Sequence, residues 1–501
     1  DPKIGTGGHG HVFVGANVPF GLVQVGPTSI PQTWDWCSGY HASDSTVIGF
    51  SHTHLSGTGI GDLFDVTVMP VTGEVTYARG TEDDPTSGLW SYADRTQEIA
   101  RPGYYSVPLT RYGIRAELTA TARVGLHRYT FPASEKAAVV FDLENGGCWD
   151  KATETHLAKE GDRTVTGWRH STGWAKDQRV YFAAEFSKPF EKFETIGDNY
   201  ARASFRTTDG EQVSLKVALS PVSVEGAREN LAAELPGWDF EETAKAADKA
   251  WNDELSKVKI ETADETARRI FYTALYHTMI APSLFCDVNG DYYGSDHAIH
   301  RNADFTNYTT FSLWDTYRAA MPLMTVLHPE KMADIVQTML HISDEQGRLP
   351  VWHLWGNETD CMVGNPGIVA VADAIVKGIG GFDREKAFEA IRKTAMNPDR
   401  GNGLRMEYGY IPCEMFNEAV AYDMEYALAD GAAARAAETL GKAEDAKYFE
   451  ERSHSYRNYF DPATRFMRGR DSKKGWRTPF NAFASTHRAD DYCEGNAWQY
   501  T

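Results

Sequence analysis

Several short stretches hold side chains that could do chemistry. Near the C-terminus, DYCEGNAWQYT (Asp491 to Thr501) sets one acid, Glu494, among amide and aromatic side chains. What a carboxyl does in that company is the first question; a helix-start acid beside the dipole is the bland answer. FSLWDTYRAAMPL places Asp315 three residues before Arg318, a spacing that on a helix allows a same-face ion pair. Asp315 reads either as an acid at a helix N-terminus or as a carboxylate accepting hydrogen bonds from sugar hydroxyls, oriented by Arg318. LPVWHLWGNETDCMVGNPG gathers Trp352, His353, Trp355, Asn357, Glu358 and Asp360 within nine residues. Burying that content without partners is costly, so this loop is expected to line an exposed cleft. In GFSHTHLSGTGIGD, His52 and His54 alternate, which in a strand puts both on one side. With His9 and His11 of GTGGHGH they could ligate zinc; as polar contacts they could hydrogen-bond a polyol. Trp34 and Trp36 of TWDWCSGYH suit ring stacking on a pyranose, or sandwich packing. CDVNGDYYGSDH starts like a calcium loop with Asp287, Asn289 and Asp291, but its twelfth position is Ala298, so a plain turn is expected.

These residues need a scaffold, and the chain offers two patterns. GYYSVPLTRYGIRAELTATARVGLHRYTFP, AAVVFDL, RVYFAAEF and EQVSLKVAL alternate in short runs separated by turn residues, as in an antiparallel β-sandwich. Near residue 225 the pattern becomes helical. The expected organisation is a β-sandwich over 1–225, a helical linker over 226–261 and a helical domain over 262–501. In TADETARRIFYTALYHTMI, Thr262 and Glu265 read as a capping box, with Ala267, Ile270, Phe271 and Ala274 forming one apolar face. The helices that follow alternate with long loops rich in Gly, Pro and Trp. That fits an (α/α) toroid, whose active centre lies where loops converge; a helical solenoid is the alternative, although no fixed 34- or 40-residue repeat is visible.

Composition bounds the partners. The chain has 501 residues and a net charge of −20, which argues against nucleic acid and anionic membrane surfaces. None of the six cysteines forms a CxxC pair, so a zinc ribbon or thioredoxin motif is not expected. No run of 18 apolar residues suggests a membrane span. The GTGGHGHVFVGANVPFGLVQVGP stretch lacks GxxxxGK[ST] and is no P-loop.

Taken together, GTGGHGHVFVGANVPFGLVQVGP, GFSHTHLSGTG, FSLWDTYRAAMPL, GNETDCMVGNPGIVAVADAIVKGIGGFD and EGNAWQYT resemble glycoside hydrolase family 92, the calcium-dependent exo-acting α-mannosidases. The resemblance runs from residue 3 to the end. It implies an α+β multidomain fold, an N-terminal antiparallel β-sandwich followed by an (α/α)6 catalytic toroid, and an inverting mechanism. It also implies that Glu494 is the general acid and that Asp315 binds mannose hydroxyls. Trp498 would wall the acid and Asn496 and Gln499 would orient it. Trp34, Trp36, His52, His54, Trp352 and Trp355 would approach the sugar. The metal ligands are not identifiable from the motifs present.

The family's general base, an Asp, and several calcium ligands belong to motifs later than EGNAWQYT. The expectation is therefore a chain truncated at its C-terminal part, its toroid incomplete and its base beyond residue 501. Implied partners are mannose-containing oligosaccharides or glycans, with an α-1,2 preference, in the periplasm, at the cell surface or secreted. Two other readings stand beside this one: a non-catalytic carbohydrate-binding protein, and another (α/α)6 glycosidase or phosphorylase.

Overall fold

The computed structural model describes residues 1–486 and 488–500. The chain forms two compact units. The first comprises residues 1–293, 299–304 and 355–357, and the second 294–298, 305–354 and 358–501. The N-terminal half is β-rich and the remainder helical, as the pattern change near residue 225 predicts.

The first unit is built on fourteen strands: β1 (Gly26–Thr28), β2 (Gly49–Ser51), β3 (Thr67–Thr72), β4 (Ile99–Arg101), β5 (Tyr104–Leu109), β6 (Ile114–Ala120), β7 (Val124–Phe131), β8 (Ser134–Asp142), β9 (Lys151–Glu160), β10 (Thr164–Thr172), β11 (Gln178–Phe186), β12 (Lys192–Ile196), β13 (Tyr200–Thr207) and β14 (Glu211–Ser220). They make a six-stranded sheet, β1-β2-β3-β8-β13-β12, and an eight-stranded sheet, β9-β10-β11-β14-β7-β6-β5-β4. Alternation explains the strands. Along β6, Ile114, Ala116 and Leu118 are buried while Arg115 and Glu117 are only half-buried. The inner faces meet as a sandwich through aromatic pairs: Phe141 stacks on Phe182 with ring centres 6.0 Å apart, and Phe131 meets Phe205 edge-on at 5.7 Å.

Two helices cover the eight-stranded sheet. Ser223 caps α1 (Val224–Glu234) by accepting from the Gly226 N–H, and Asp239 caps α2 (Phe240–Leu255) by accepting from Glu242. Phe240 and Ala244 then pack on Val124, Leu126 and Ala218.

Helix α3 (Glu265–His277) departs from the sequence reading in two ways. Its cap is Asp264, whose carboxylate accepts from Thr266 and Ala267, while the Thr262 hydroxyl accepts from the Asp264 N–H, outside the helix. Its buried residues are Thr273, Leu275 and Tyr276 rather than the expected stripe; Ile270 is 52% exposed. The reason is tertiary: Tyr276 packs on the buried indole of Trp251, ring centres 4.5 Å apart, which turns the opposite stripe outward.

The second unit is helical: α4 (Leu313–Thr316), α5 (Ala320–Leu327), α6 (Pro329–Gln346), α7 (Pro366–Val376), α8 (Arg384–Ala395), α9 (Asn402–Tyr408), α10 (Ala419–Thr439) and α11 (Ala443–Arg452). Helix α7 is apolar almost all round and buried along most of its length, and α10 packs on it through small alanines. A buried ionic knot ties α9 to α10. Arg405 donates to Asp423 at 2.8 Å and to Asp430 at 2.7 Å, and Asp423 also accepts from the Ile411 N–H and the Tyr459 and Ser455 hydroxyls. Among the described residues no helix is long and apolar enough to cross a membrane.

Candidate active site

The second unit carries a cavity of about 740 Å³ lined by Trp314, Arg318, Glu425, Tyr456, Glu494 and Gln499, among others. Two carboxyls face it, and they are held very differently.

Glu425 is fully engaged. It accepts from the Trp314 indole N–H at 3.1 Å, the Tyr317 hydroxyl at 2.8 Å and Arg318 at 2.7 Å. It projects from α10 beneath a loop that approaches closely. A Cβ added at Gly364, whose φ is +79°, would stand 2.4 Å from the Glu425 Cβ. Arg318 lies over the rings of Tyr317 and Trp314, 4.6 and 5.3 Å from their centres. Burial, then the Glu425 charge, pushes the Tyr317 phenol up, so it remains a donor. Sequence reasoning missed Glu425; its signal was an acid on a helix otherwise rich in alanine.

Glu494 is exposed, and among the described residues no hydrogen bond ties its carboxyl down. What is tied down is its backbone. Glu494 adopts φ +47°, a left-handed conformation unfavourable for a glutamate. The flanking chain fixes it there. The Tyr500 hydroxyl accepts from the Cys493 N–H at 3.2 Å and donates to the Cys493 carbonyl at 2.8 Å. Asn496 accepts from the Trp498 N–H at 3.0 Å, and Gln499 accepts from the Asn496 N–H at 2.7 Å, so the short turn Ala497–Tyr500 caps itself. Asn496 and Gln499 thus orient the loop, and through it the acid; Gln499 also lines the cavity. Trp498 does not supply the expected wall. It is 57% exposed and packs edge-on against Phe466 at 4.9 Å, and the cavity's apolar lining comes instead from Trp314, Met424, Leu428, Met467 and Tyr500.

Asp315 sits on α4 one turn from Arg318, but the same-face ion pair does not form, because Arg318 goes to Glu425. Asp315 is exposed and accepts from the Ser312 hydroxyl, near the start of its helix. Trp352 is buried in a short strand pairing with Ser312, and its N–H donates to Glu358 at 2.9 Å. The polar-aromatic loop is thus largely interior, its polar content satisfied internally, where an exposed cleft lining was expected. Trp355, in the first unit, is buried at φ +49° against Phe285.

Trp34 and Trp36 also lie in the first unit. Trp34 is 49% exposed, donates to the Gly59 carbonyl at 2.8 Å, and has the rings of His9 and His11 at 5.5 and 4.3 Å. Trp36 stacks on His41 and donates to Asp44. His52 and His54 are buried. His52 Nδ1 lies 2.6 Å from the Val66 carbonyl, so this nitrogen carries the proton, and its Nε2 accepts from His127 Nε2 at 2.9 Å. His127 Nδ1 must then accept from the Tyr129 hydroxyl at 2.8 Å. His54 Nδ1 donates to the Gln24 carbonyl at 2.8 Å. Desolvation pushes His52 down to about 3 and His54 down to about 4. His9 pairs instead with Asp35, so the four histidines do not converge on a zinc position.

Known proteins are similar to this chain in sequence and architecture. The glycosyl hydrolase family 92 catalytic-domain model matches residues 226–501, and the N-terminal-domain model of the same family matches residues 1–220. A family 92 α-mannosidase of Bacteroides thetaiotaomicron, solved with mannoimidazole, aligns over the whole chain with TM-score 0.96 and 39% identity, the chain covering 69% of it. A family 92 inverting mannosidase of B. thetaiotaomicron VPI-5482 aligns over 98% of the chain with TM-score 0.88 and 29% identity, 67% of that protein being covered. A protein of Arthroderma benhamiae described as an uncharacterised secreted glycosidase is 26% identical over 94% of the chain, which spans 63% of that relative's length.

Proposed function

We propose, from the premise that this chain belongs to glycosyl hydrolase family 92, that it supplies the general acid of an exo-acting, inverting α-mannosidase. The substrate would be a terminal α-linked mannose, with an α-1,2 preference, on mannans or N-glycans. The catalytic domain would span 262–501, with 1–225 as the sandwich and 226–261 as the linker. The observation that carries this reading is Glu494: a free carboxyl on a rigidly held backbone, facing a cavity lined by rings and by the Glu425–Arg318 pair.

Glu494 would donate its proton to the departing glycosidic oxygen. Asp315 on the second unit, and Trp34 and Trp36 on the first, each stand as a candidate sugar contact; Trp352 and Trp355 are buried. Trp34 and Asp315 are the exposed ones; His52 and His54 hold the sandwich that carries the Trp34 loop. Inversion also needs a carboxylate to activate water. Glu425 does not suit that role, since three donors, one of them a guanidinium, already engage it. Calcium is the cofactor the family resemblance implies. Six to eight oxygens are the usual calcium shell, and among the described residues the cavity offers only Glu494 and the engaged Glu425 as carboxylates. These residues do not make a calcium site. Family membership and the secreted relative support an extracytoplasmic location.

The test compares Glu494→Gln with the parent, both as full-length protein, on two substrates. Loss of a general acid should cost about 10²–10⁴-fold on a mannoside with a poor leaving group, and far less on an activated aryl mannoside. Equal losses on both would remove Glu494 from the acid role.

A further inference from the structure

Two cysteines far apart in sequence meet on the sandwich unit, and the chemistry described so far uses neither. Cys37 ends the short turn Trp34–Trp36, its N–H donating to the Trp34 carbonyl at 3.2 Å. Cys148 lies in the loop between β8 and β9. One strip of backbone anchors both. The Trp34 indole donates to the Gly59 carbonyl at 2.8 Å, and the N–H of Trp149, next to Cys148, donates to the Gly61 carbonyl at 3.0 Å. The approach is close: a Cβ added at Gly61 would stand 2.5 Å from the Cys148 Cβ. Between these anchors the two thiols lie close enough to shift one another, Cys148 downward and Cys37 upward.

We infer that Cys37 and Cys148 form a redox-reactive dithiol that closes to a disulfide, stapling the Trp34–Trp36 turn to the β8–β9 loop. The oxidant is a small-molecule disulfide, RSSR, and the step balances as thiol–disulfide exchange. The Cys148 thiolate attacks one sulfur of RSSR, forming Cys148–S–S–R and expelling RS⁻. The Cys37 thiol loses its proton and attacks the Cys148 sulfur, forming the Cys37–Cys148 bond and expelling the second RS⁻. Two protons and two electrons leave the protein on two RSH. The order follows from access and charge. Cys37 is buried and Cys148 is half-buried. The contact with Cys37, then the Arg79 charge, lowers the Cys148 thiol, whereas the same contact and burial raise Cys37. Cys148 is therefore the sulfur that meets the oxidant.

The other four cysteines supply the control. Cys286, Cys361, Cys413 and Cys493 should remain thiols under the same oxidant. The staple closes a loop of about a hundred residues, long enough to stabilise by restricting the unfolded chain. The experiment incubates the whole protein with oxidised glutathione, denatures it, alkylates it without reduction, and reads intact mass and linked peptides. The expected result is four alkylated cysteines, one cross-linked pair containing Cys37 and Cys148, and a higher melting temperature than the reduced protein. Cys148→Ala should instead give five alkylations and no cross-link. Six alkylations after oxidation, a Cys148 glutathione adduct that Cys37 never resolves, or a cross-link between other cysteines would each overturn the inference. No activity measurement enters, so the outcome is independent of the proposed function.

Discussion

The buried histidines make a quantitative prediction about acid. His54 ionises near 6.5 in an unfolded chain but is held down to about 4 in the fold by desolvation. Its contribution to stability is complete above 6.5 and is lost as pH falls toward 4, because the unfolded chain then binds a proton the fold excludes. Between pH 7 and pH 4 the loss is about 3 kcal/mol at roughly 1.4 kcal/mol per unit. His52, held down to about 3, loses a similar ~3 kcal/mol over the same interval. Buried acids oppose this. Desolvation raises Asp142, Asp150 and Asp287 to about 6 each, so each adds about 2 kcal/mol as pH falls from 6 to 4. The total pH profile therefore mixes opposing contributions and tests nothing alone. A difference does. Asparagine at 54 can keep the donation to Gln24 through its amide and cannot titrate. Urea midpoints of His54→Asn and the parent, taken at half-unit steps from pH 7 to 4, should diverge, with the variant losing about 3 kcal/mol less. Parallel curves would refute a buried, neutral His54.

Two further perturbations follow from the packing. Asp423→Ala removes one of the two carboxylates that hold Arg405, and an acceptor of the Ile411 N–H and the Tyr459 and Ser455 hydroxyls, inside the second unit. It should cost about 3–5 kcal/mol, read as a lowered melting temperature. Asp264→Ala should cost about 1 kcal/mol of α3 stability, whereas Thr262→Ala should cost little; the reverse order in urea titration would restore Thr262 as the cap.

Much of the architecture was legible because period-two and period-3.6 patterns arise from burial that is local in sequence. β6 alternates as written, and helices take over at Val224, where the pattern changes. What failed were choices set by distant partners. The apolar residues of α3 offered more than one stripe, and Trp251 decided between them. The alternation of His52 and His54 was visible, but not that His127, 75 positions away, would complete a hydrogen-bonded chain in the core. Spacing allowed Asp315 and Arg318 to pair; Glu425, 107 positions on, took the guanidinium. At the candidate site the motif around Glu494 was readable as residue types. That its amides serve the backbone, and that Tyr500 clamps Cys493, was not, because those bonds depend on a left-handed residue no periodicity announces.

That left-handed residue sets durability against chemistry at one position. A glycine would accept φ +47° freely, while glutamate there costs on the order of 1 kcal/mol. Ranking substitutions by backbone comfort would therefore place Glu494→Gly among the stabilising changes. The hardier protein obtained would fold around the same cavity without the carboxyl proposed as its acid. An engineer seeking a longer-lived version should hold position 494 fixed and look for stability in the sandwich instead.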